Sequence, residues 1–257
     1  MEYIVVGITA FIISAITLYS GFGLGTVLLP VFALFFPIEI AIGMTAVVHL
    51  LNNLFKLVLL GKHADKSVVL KFGLPAILAA FAGAWLLLWF SGQEALFRYT
   101  IFHREMVVTP VKLVIAGLMA LFALLELLPN LNNMSFSQKL LPVGGLLSGF
   151  FGGLSGHQGA LRSAFLLRAG LTKESFIATG VVISCLVDFS RLFIYSSRFG
   201  RALSAHTIDL LLVAVIAAFL GVFLANRYLH KVTMRGVQII VSVLLFAIAL
   251  GLGSGLI

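Results

Sequence analysis

Apolar runs of membrane length, separated by charged or proline-containing breaks, occupy most of the chain: 3–35, 38–61, 68–91, 110–128, 139–169, 173–196, 207–226 and 236–256. Most suit a hydrocarbon layer about 30 Å thick, and their continuous apolar character predicts helices, because barrel strands would alternate. The two longest, 3–35 and 139–169, carry glycine clusters in their middle. As straight helices rising about 1.5 Å per residue they would overrun the bilayer. They are therefore expected to be broken, steeply tilted or partly re-entrant.

Polar residues interrupt two of these runs at helical spacing. In 38–61, Thr45, His49, Asn52, Asn53 and Lys56 fall on one face; in 173–196, Ser184, Asp188, Arg191 and Tyr195 do the same. An offset of 135 residues aligns Glu39 with Glu174, His49 with Ser184, Asn53 with Asp188 and Lys56 with Arg191. Lipid offers these groups no hydrogen bond, and a mid-bilayer charge costs roughly 2.5–3.5 kcal/mol even on the insertion scale. They are expected to face each other, a water-filled cavity or a solute, which reads as a transport path.

The repetition extends further. Ala79-Ala80-Phe81-Ala82-Gly83 matches Ala217-Ala218-Phe219-Leu220-Gly221 at an offset of 138, and Ser20-Gly21 with Gly25 matches Ser148-Gly149 with Gly153 at 128. Between the halves lies a polar, turn-rich stretch from Pro129 to Gln138. The expected organisation is a first repeat over 1–128, a linker over 129–142 and a second repeat over 143–257. With four segments each, the repeats share one orientation and are related by an axis along the membrane normal. The fold class is thus all-α: a polytopic membrane protein of about eight spans, each half opening with a glycine-broken helix.

Composition agrees. Of 257 residues 61% are hydrophobic and 10% charged, with a mean hydropathy of +1.16, too little polar surface for a soluble domain. The net charge of +8 reads as loop charge beside anionic headgroups, with no basic-aromatic stretch for nucleic acid. Arg98, Arg104, Lys112, Arg168, Lys173, Arg227, Lys231 and Arg235 fall on one side, and Lys62, Lys66, Lys71, Lys139, Arg198 and Arg201 on the other. The first side is read as cytoplasmic, with both termini outside. The acidic start Met1-Glu2-Tyr3 predicts a retained first span rather than a cleaved signal. Cys185 is the one cysteine, excluding a disulfide framework, and is expected to pack.

Candidate chemistry gathers at the stripes and glycines. Glycine inside a membrane helix permits either close helix approach or a break. As breaks, Gly21, Gly23, Gly25, Gly152, Gly153 and Gly156 would free backbone N–H groups and leave half-helix N-termini that suit an anion. Ser155, His157, Gln158 and Arg162 follow the second cluster. Arg162 and Arg191 offer planar five-donor forks that grip oxyanions, joined by Asn52, Asn53, Thr45 and Lys56. Arg191 could instead be spent on Asp188, three residues earlier, and Lys56 could snorkel. His49, His157 and Asp188 are candidate proton sites, or polar links between helices. Glu126 and Asp209 sit at segment ends. No zinc-type Cys/His spacing, HExxH or GxxxxGK[ST] loop is present, so no metal or cofactor is expected. Ser155 and His157 lack a carboxylate neighbour in sequence, so no hydrolase is expected.

The boxes Gly21-Phe22-Gly23-Leu24-Gly25-Thr26-Val27-Leu28-Leu29-Pro30, Ile42-Gly43-Met44-Thr45-Ala46 and Gly149-Phe150-Phe151-Gly152-Gly153-Leu154-Ser155-Gly156-His157-Gln158-Gly159 resemble the TauE/SafE family of sulfite exporters, also called the four-toluene-sulfonate uptake permease family. The resemblance covers length, segment number and duplicated halves. Leu24 interrupts the glycine-rich box of the family in the first half, and Leu154 and Ser155 interrupt it in the second. The resemblance implies movement of sulfite, thiosulfate, sulfonates or related sulfur anions across the cytoplasmic membrane of a bacterial or archaeal cell.

Each elementary charge crossing 100 mV is worth about 2.3 kcal/mol. A dianion leaving an inside-negative cell gains roughly twice that, so export needs no coupling ion, whereas uptake would need cotransported protons. The expected function is therefore a non-enzymatic secondary transporter, exporting a small anion by alternating access. An anion channel and a proton-coupled uptake permease for organosulfonates stand as alternatives. The expected partners are the anion and the bilayer, with a homodimer left open.

Overall fold

The structure, a computed structural model, describes residues 1–18, 23–101, 104–127, 136–167, 169–199, 204–228 and 234–257. Among these residues the chain forms ten helices: α1 Glu2–Ile16, α2 Leu24–Ala33, α3 Ile38–Leu60, α4 Lys66–Ser91, α5 Pro110–Leu127, α6 Leu141–Ser155, α7 Gly159–Leu166, α8 Lys173–Phe199, α9 Ala205–Tyr228 and α10 Met234–Gly253. α3, α4, α8 and α9 are long and apolar enough to cross a membrane. α1 and α2 are shorter apolar helices, as are the stretches Pro110–Leu125 of α5 and Ser242–Gly253 of α10. Such helices satisfy every backbone group internally, which lipid requires.

The two long glycine-bearing segments are broken rather than straight. α1 gives way to α2 ahead of Gly23, whose φ is 118°, and α6 to α7 at Gly156, whose φ is 84°. Residues without glycine's freedom rarely adopt either angle. Gly156 N–H closes α6 by bonding to Gly152 O at 2.9 Å, an αL cap. Three expected breaks are not breaks: Gly25 belongs to the first turn of α2, and Gly152 and Gly153 to the last turns of α6. Gly21 lies outside the described residues. The match of Gly25 to Gly153 also fails, because one follows its break and the other precedes it. Gly23 and Gly156 instead share a spacing close to the 135 of the stripes.

The glycines inside α6 serve packing. A Cβ on Gly145, Gly149 or Gly153 would stand 2.2 Å from the carbonyl oxygens of Phe72, Ala76 and Ala80 on α4, and one on Gly83 would stand 2.1 Å from Phe150 O. Such close approach is how helices associate where lipid supplies no hydrophobic drive. The mirror arrangement joins α1 to α9, where a Cβ on Gly221 would lie 2.2 Å from Phe11 O, and Ser14 Oγ donates to Ala218 O at 2.8 Å. Gly83 and Gly221, aligned by sequence, thus do the same work on opposite sides.

The helices pair crosswise: α1 with α9, α6 with α4, α3 with α8, and α5 with α10. Outward faces are apolar, as with Ile4, Ile8 and Ile12 on α1 or Leu212, Ile216 and Leu220 on α9. The chain is a membrane protein.

Two features depart from the sequence reading. Phe97–Ile101 (β1) and Arg104–Val108 (β2) form an antiparallel hairpin, tied to the end of α10 by Tyr99 Oη on Ser254 O and Val107 N–H on Gly255 O at 3.4 Å. Of the expected linker over 129–142, Gln138–Leu140 is a 3₁₀ turn, and α6 begins at Leu141 with Pro142 in its first turn. Residues 129–135 of it lie outside the described residues.

Candidate functional site

α3 and α8 bring the two polar stripes together. Leu50 packs with Ile177, Val181 and Cys185, with Leu54 and Leu57 alongside, forming an apolar flank. That flank turns His49 and Asn53 of α3 towards Asp188 and Arg191 of α8. Cys185 is buried there as a packing residue.

Asp188 is the hub. It is 0% exposed, and a buried carboxylate must be compensated by charge and hydrogen bonds. Oδ2 lies 2.6 Å from His49 Nδ1, so the link joins the two stripes. Oδ1 lies 2.7 Å from Arg191 Nη2 and accepts from Gln158 Nε2 at 3.2 Å. Asn53 Nδ2 lies across the His49 ring, 3.2 Å from Nδ1 and 3.3 Å from Nε2.

The α6–α7 break supplies the other wall. Gln158 is a bridge: its amide donates to Asp188 and its Oε1 accepts from Arg162 Nη1 at 3.3 Å. Arg162 also donates to Ser184 Oγ on α8. It crosses α8 at Gly180, where a Cβ would sit 3.4 Å from Nε. Ser148 Oγ holds the break by donating to Gln158 O at 3.0 Å. Arg191 Nη1 donates to Gly152 O at 3.4 Å and lies against Gly156, where a Cβ would stand 2.7 Å from it. Tyr195 Oη donates to Gly153 O. The two breaks adjoin, since a Cβ on Gly25 would lie 3.6 Å from His49 Cδ2 and 3.8 Å from Gly156 O.

Charge is out of balance in this cluster. Among the described residues the buried Lys, Arg, Asp and Glu side chains are Lys56, Arg162 and Arg191 against the one carboxylate of Asp188. Lys56 is within Coulombic reach of Arg162. Donors and acceptors are also left over: Asn52 Nδ2 and Oδ1, Arg191 Nε and Nη2, and His157 Nε2 are buried without a hydrogen-bond partner. Arg191 Nη2 is thus paired with Asp188 by charge and proximity, without hydrogen-bond alignment.

Two expected ligand residues have no proton to give a solute. Thr45 Oγ1 donates to Ala41 O of its own helix at 2.7 Å, and Ser155 Oγ donates to Phe151 O at 3.1 Å. Such back-bonding to the carbonyl four residues earlier is a common arrangement of hydroxyls inside helices. Lys56 does not snorkel; it is 5% exposed. His157 lies flat on Phe122 of α5, with ring centroids 5.1 Å apart and planes 6° from parallel. Nothing in the sequence marks Phe122, whereas Ser184 and Tyr195 stand on the stripe. No group of three or more His, Cys, Asp or Glu suited to a metal ion occurs among the described residues.

The arrangement is a buried, positively biased cluster where four helices and two glycine turns meet inside a membrane protein. No curated protein and no solved structure matches the chain. Residues 6–252 match the sulfite exporter TauE/SafE family, and with nearly the whole chain covered, the protein belongs to that family of membrane transporters.

Proposed function

We propose that this protein is a secondary transporter that moves a small sulfur oxyanion, sulfite first and thiosulfate or a sulfonate next, out across the cytoplasmic membrane. The observation that carries the reading is the buried surplus of cations, with Lys56, Arg162 and Arg191 against Asp188. A bound anion offsets that surplus in part or whole, according to its charge, and accepts from Arg191 Nε and Asn52 Nδ2, both buried without a partner. The N-termini of α2 and α7 begin at the two breaks and add partial positive charge.

Residues 1–128 and 143–257 act as two repeats around this site. The crosswise pairing of α1 with α9 and of α6 with α4 supports a pseudo-twofold arrangement with eight spans. Access alternates by bending at Gly23 and Gly156. Membrane potential drives an anion outwards at about 2.3 kcal/mol per charge per 100 mV.

Sulfite efflux from proteoliposomes tests the reading. Arg162→Ala and Arg191→Ala should each abolish saturable flux, and unchanged flux in both variants would refute the site. A second reading, proton-coupled uptake, draws support from the 2.6 Å His49–Asp188 contact, a titratable pair joining the two stripes. Collapse of the pH gradient would stop uptake under that reading and leave export untouched.

A further inference from the structure

We propose that His157 makes the site selective for an oxyanion that still carries one proton, hydrogensulfite rather than the sulfite dianion. The inference rests on the sulfur-oxyanion reading above and deepens it.

A hydroxyl has one proton, and Ser155 Oγ gives its proton to Phe151 O at 3.1 Å. In the 3.1 Å contact between Ser155 Oγ and His157 Nδ1, the hydroxyl oxygen therefore accepts and the imidazole donates. The neutral ring then carries its lone pair on Nε2. That nitrogen is buried without a partner, and His157 is 3% exposed. Turning the ring over would keep the stack on Phe122 but give up the contact between Nδ1 and Ser155 Oγ.

Beside this bare acceptor stands a bare donor. The Arg191 guanidinium lies against Gly156, one residue before His157; its Nη2 is paired with Asp188 Oδ1 at 2.7 Å, and its Nε is buried without an acceptor. A ligand satisfying both needs oxyanion oxygens for the guanidinium and one O–H for Nε2. Hydrogensulfite has both. A fully deprotonated dianion would set an oxygen lone pair against that of Nε2, which disfavours it. The charged and titratable groups about this spot are Arg191, Asp188 and Tyr195 from α8, Arg162 from α7, and Lys56 and His49 from α3; α5 contributes the neutral Phe122.

The test is sulfite binding to detergent-purified protein, followed by thermal shift at two pH values bracketing the titration of sulfite. Methanesulfonate, a monoanion at both pH values, controls for titration of the protein itself. Relative to that control, wild-type affinity for total sulfite should rise on acidification in step with the hydrogensulfite fraction. His157→Phe keeps the stack and removes the acceptor; it should lose about tenfold in hydrogensulfite affinity and lose the pH dependence. His157→Gln, which offers an acceptor oxygen, should retain both. Wild-type affinity that falls on acidification overturns the proposal, as does a His157→Phe protein that binds like the wild type. If His157→Phe fails to fold, the wild-type profile still decides. Failure of the wild type to bind any sulfur oxyanion would instead sink the transport reading itself.

Discussion

Asp188 Oδ2 and His49 Nδ1 lie 2.6 Å apart across the α3–α8 seam, and both oxygens of that carboxylate are engaged, by His49 of α3, Arg191 of α8 and Gln158 of the α6–α7 break. Asp188 is therefore an internal counter-anion, and under the proposed function an external anion joins it.

Asp188→Ala leaves Arg162, Arg191 and Lys56 buried with no carboxylate. Breaking such a pair from one side costs about 3–5 kcal/mol, so the thermal midpoint in detergent should fall markedly. Added sulfite should recover part of the loss, since an anion can sit where the carboxylate was. A variant as stable as the wild type, or one indifferent to sulfite, would contradict the role given to Asp188.

Arg191→Lys keeps the charge and loses the planar fork. Arg191 now touches Asp188, Gly152 O and the Gly156 backbone together, which a point-like ammonium cannot do. Sulfite affinity should drop at least about tenfold, as measured by thermal-shift titration, with the fold retained.

Gly149→Ala and Gly117→Ala should move stability in opposite directions. The new methyl at 149 would meet Ala76 O at 2.2 Å, while at 117 nothing lies within 4 Å. The first should cost about 1–3 kcal/mol by overpacking. The second should gain about 0.5–1 kcal/mol, because Gly117 is inside α5. Thermal denaturation of the two proteins side by side reads both signs.

Gly156→Ala tests the turn and the site together. The backbone there has φ of 84°, a region that side chains rarely adopt, and the added carbon would press on Arg191 Nη1 at 2.7 Å. Sulfite flux should fall well below that of Gly159→Ala, a substitution at the first residue of α7. Equal fluxes would remove Gly156 from the site.

Much of this was legible in the chain itself. Stripe spacing identifies His49, Asn53, Asp188 and Arg191 because lipid makes each polar residue inside an apolar run conspicuous. Run length predicts that 3–35 and 139–169 cannot be straight. Composition could not separate a glycine that turns the chain from one that admits a neighbour, so Gly152 and Gly153 were expected as breaks although they lie inside α6. Nor could spacing reveal that Thr45 and Ser155 give their protons to carbonyls one turn back. Phe122 and the β1–β2 hairpin depend on contacts distant in sequence, for which local pattern carries no signal.

The crosswise pairing of α1 with α9 has a consequence for biogenesis. Ser14 and the backbone at Phe11 meet their partners only when α9 emerges from the ribosome, after most of the polypeptide has already entered the lipid. Until then the amino-terminal helix must idle with its small-residue groove uncovered, so insertion machinery or a holding factor has to shelter it. Truncation anywhere before Ala205 should thus leave a product marked for proteolysis rather than a half-sized carrier.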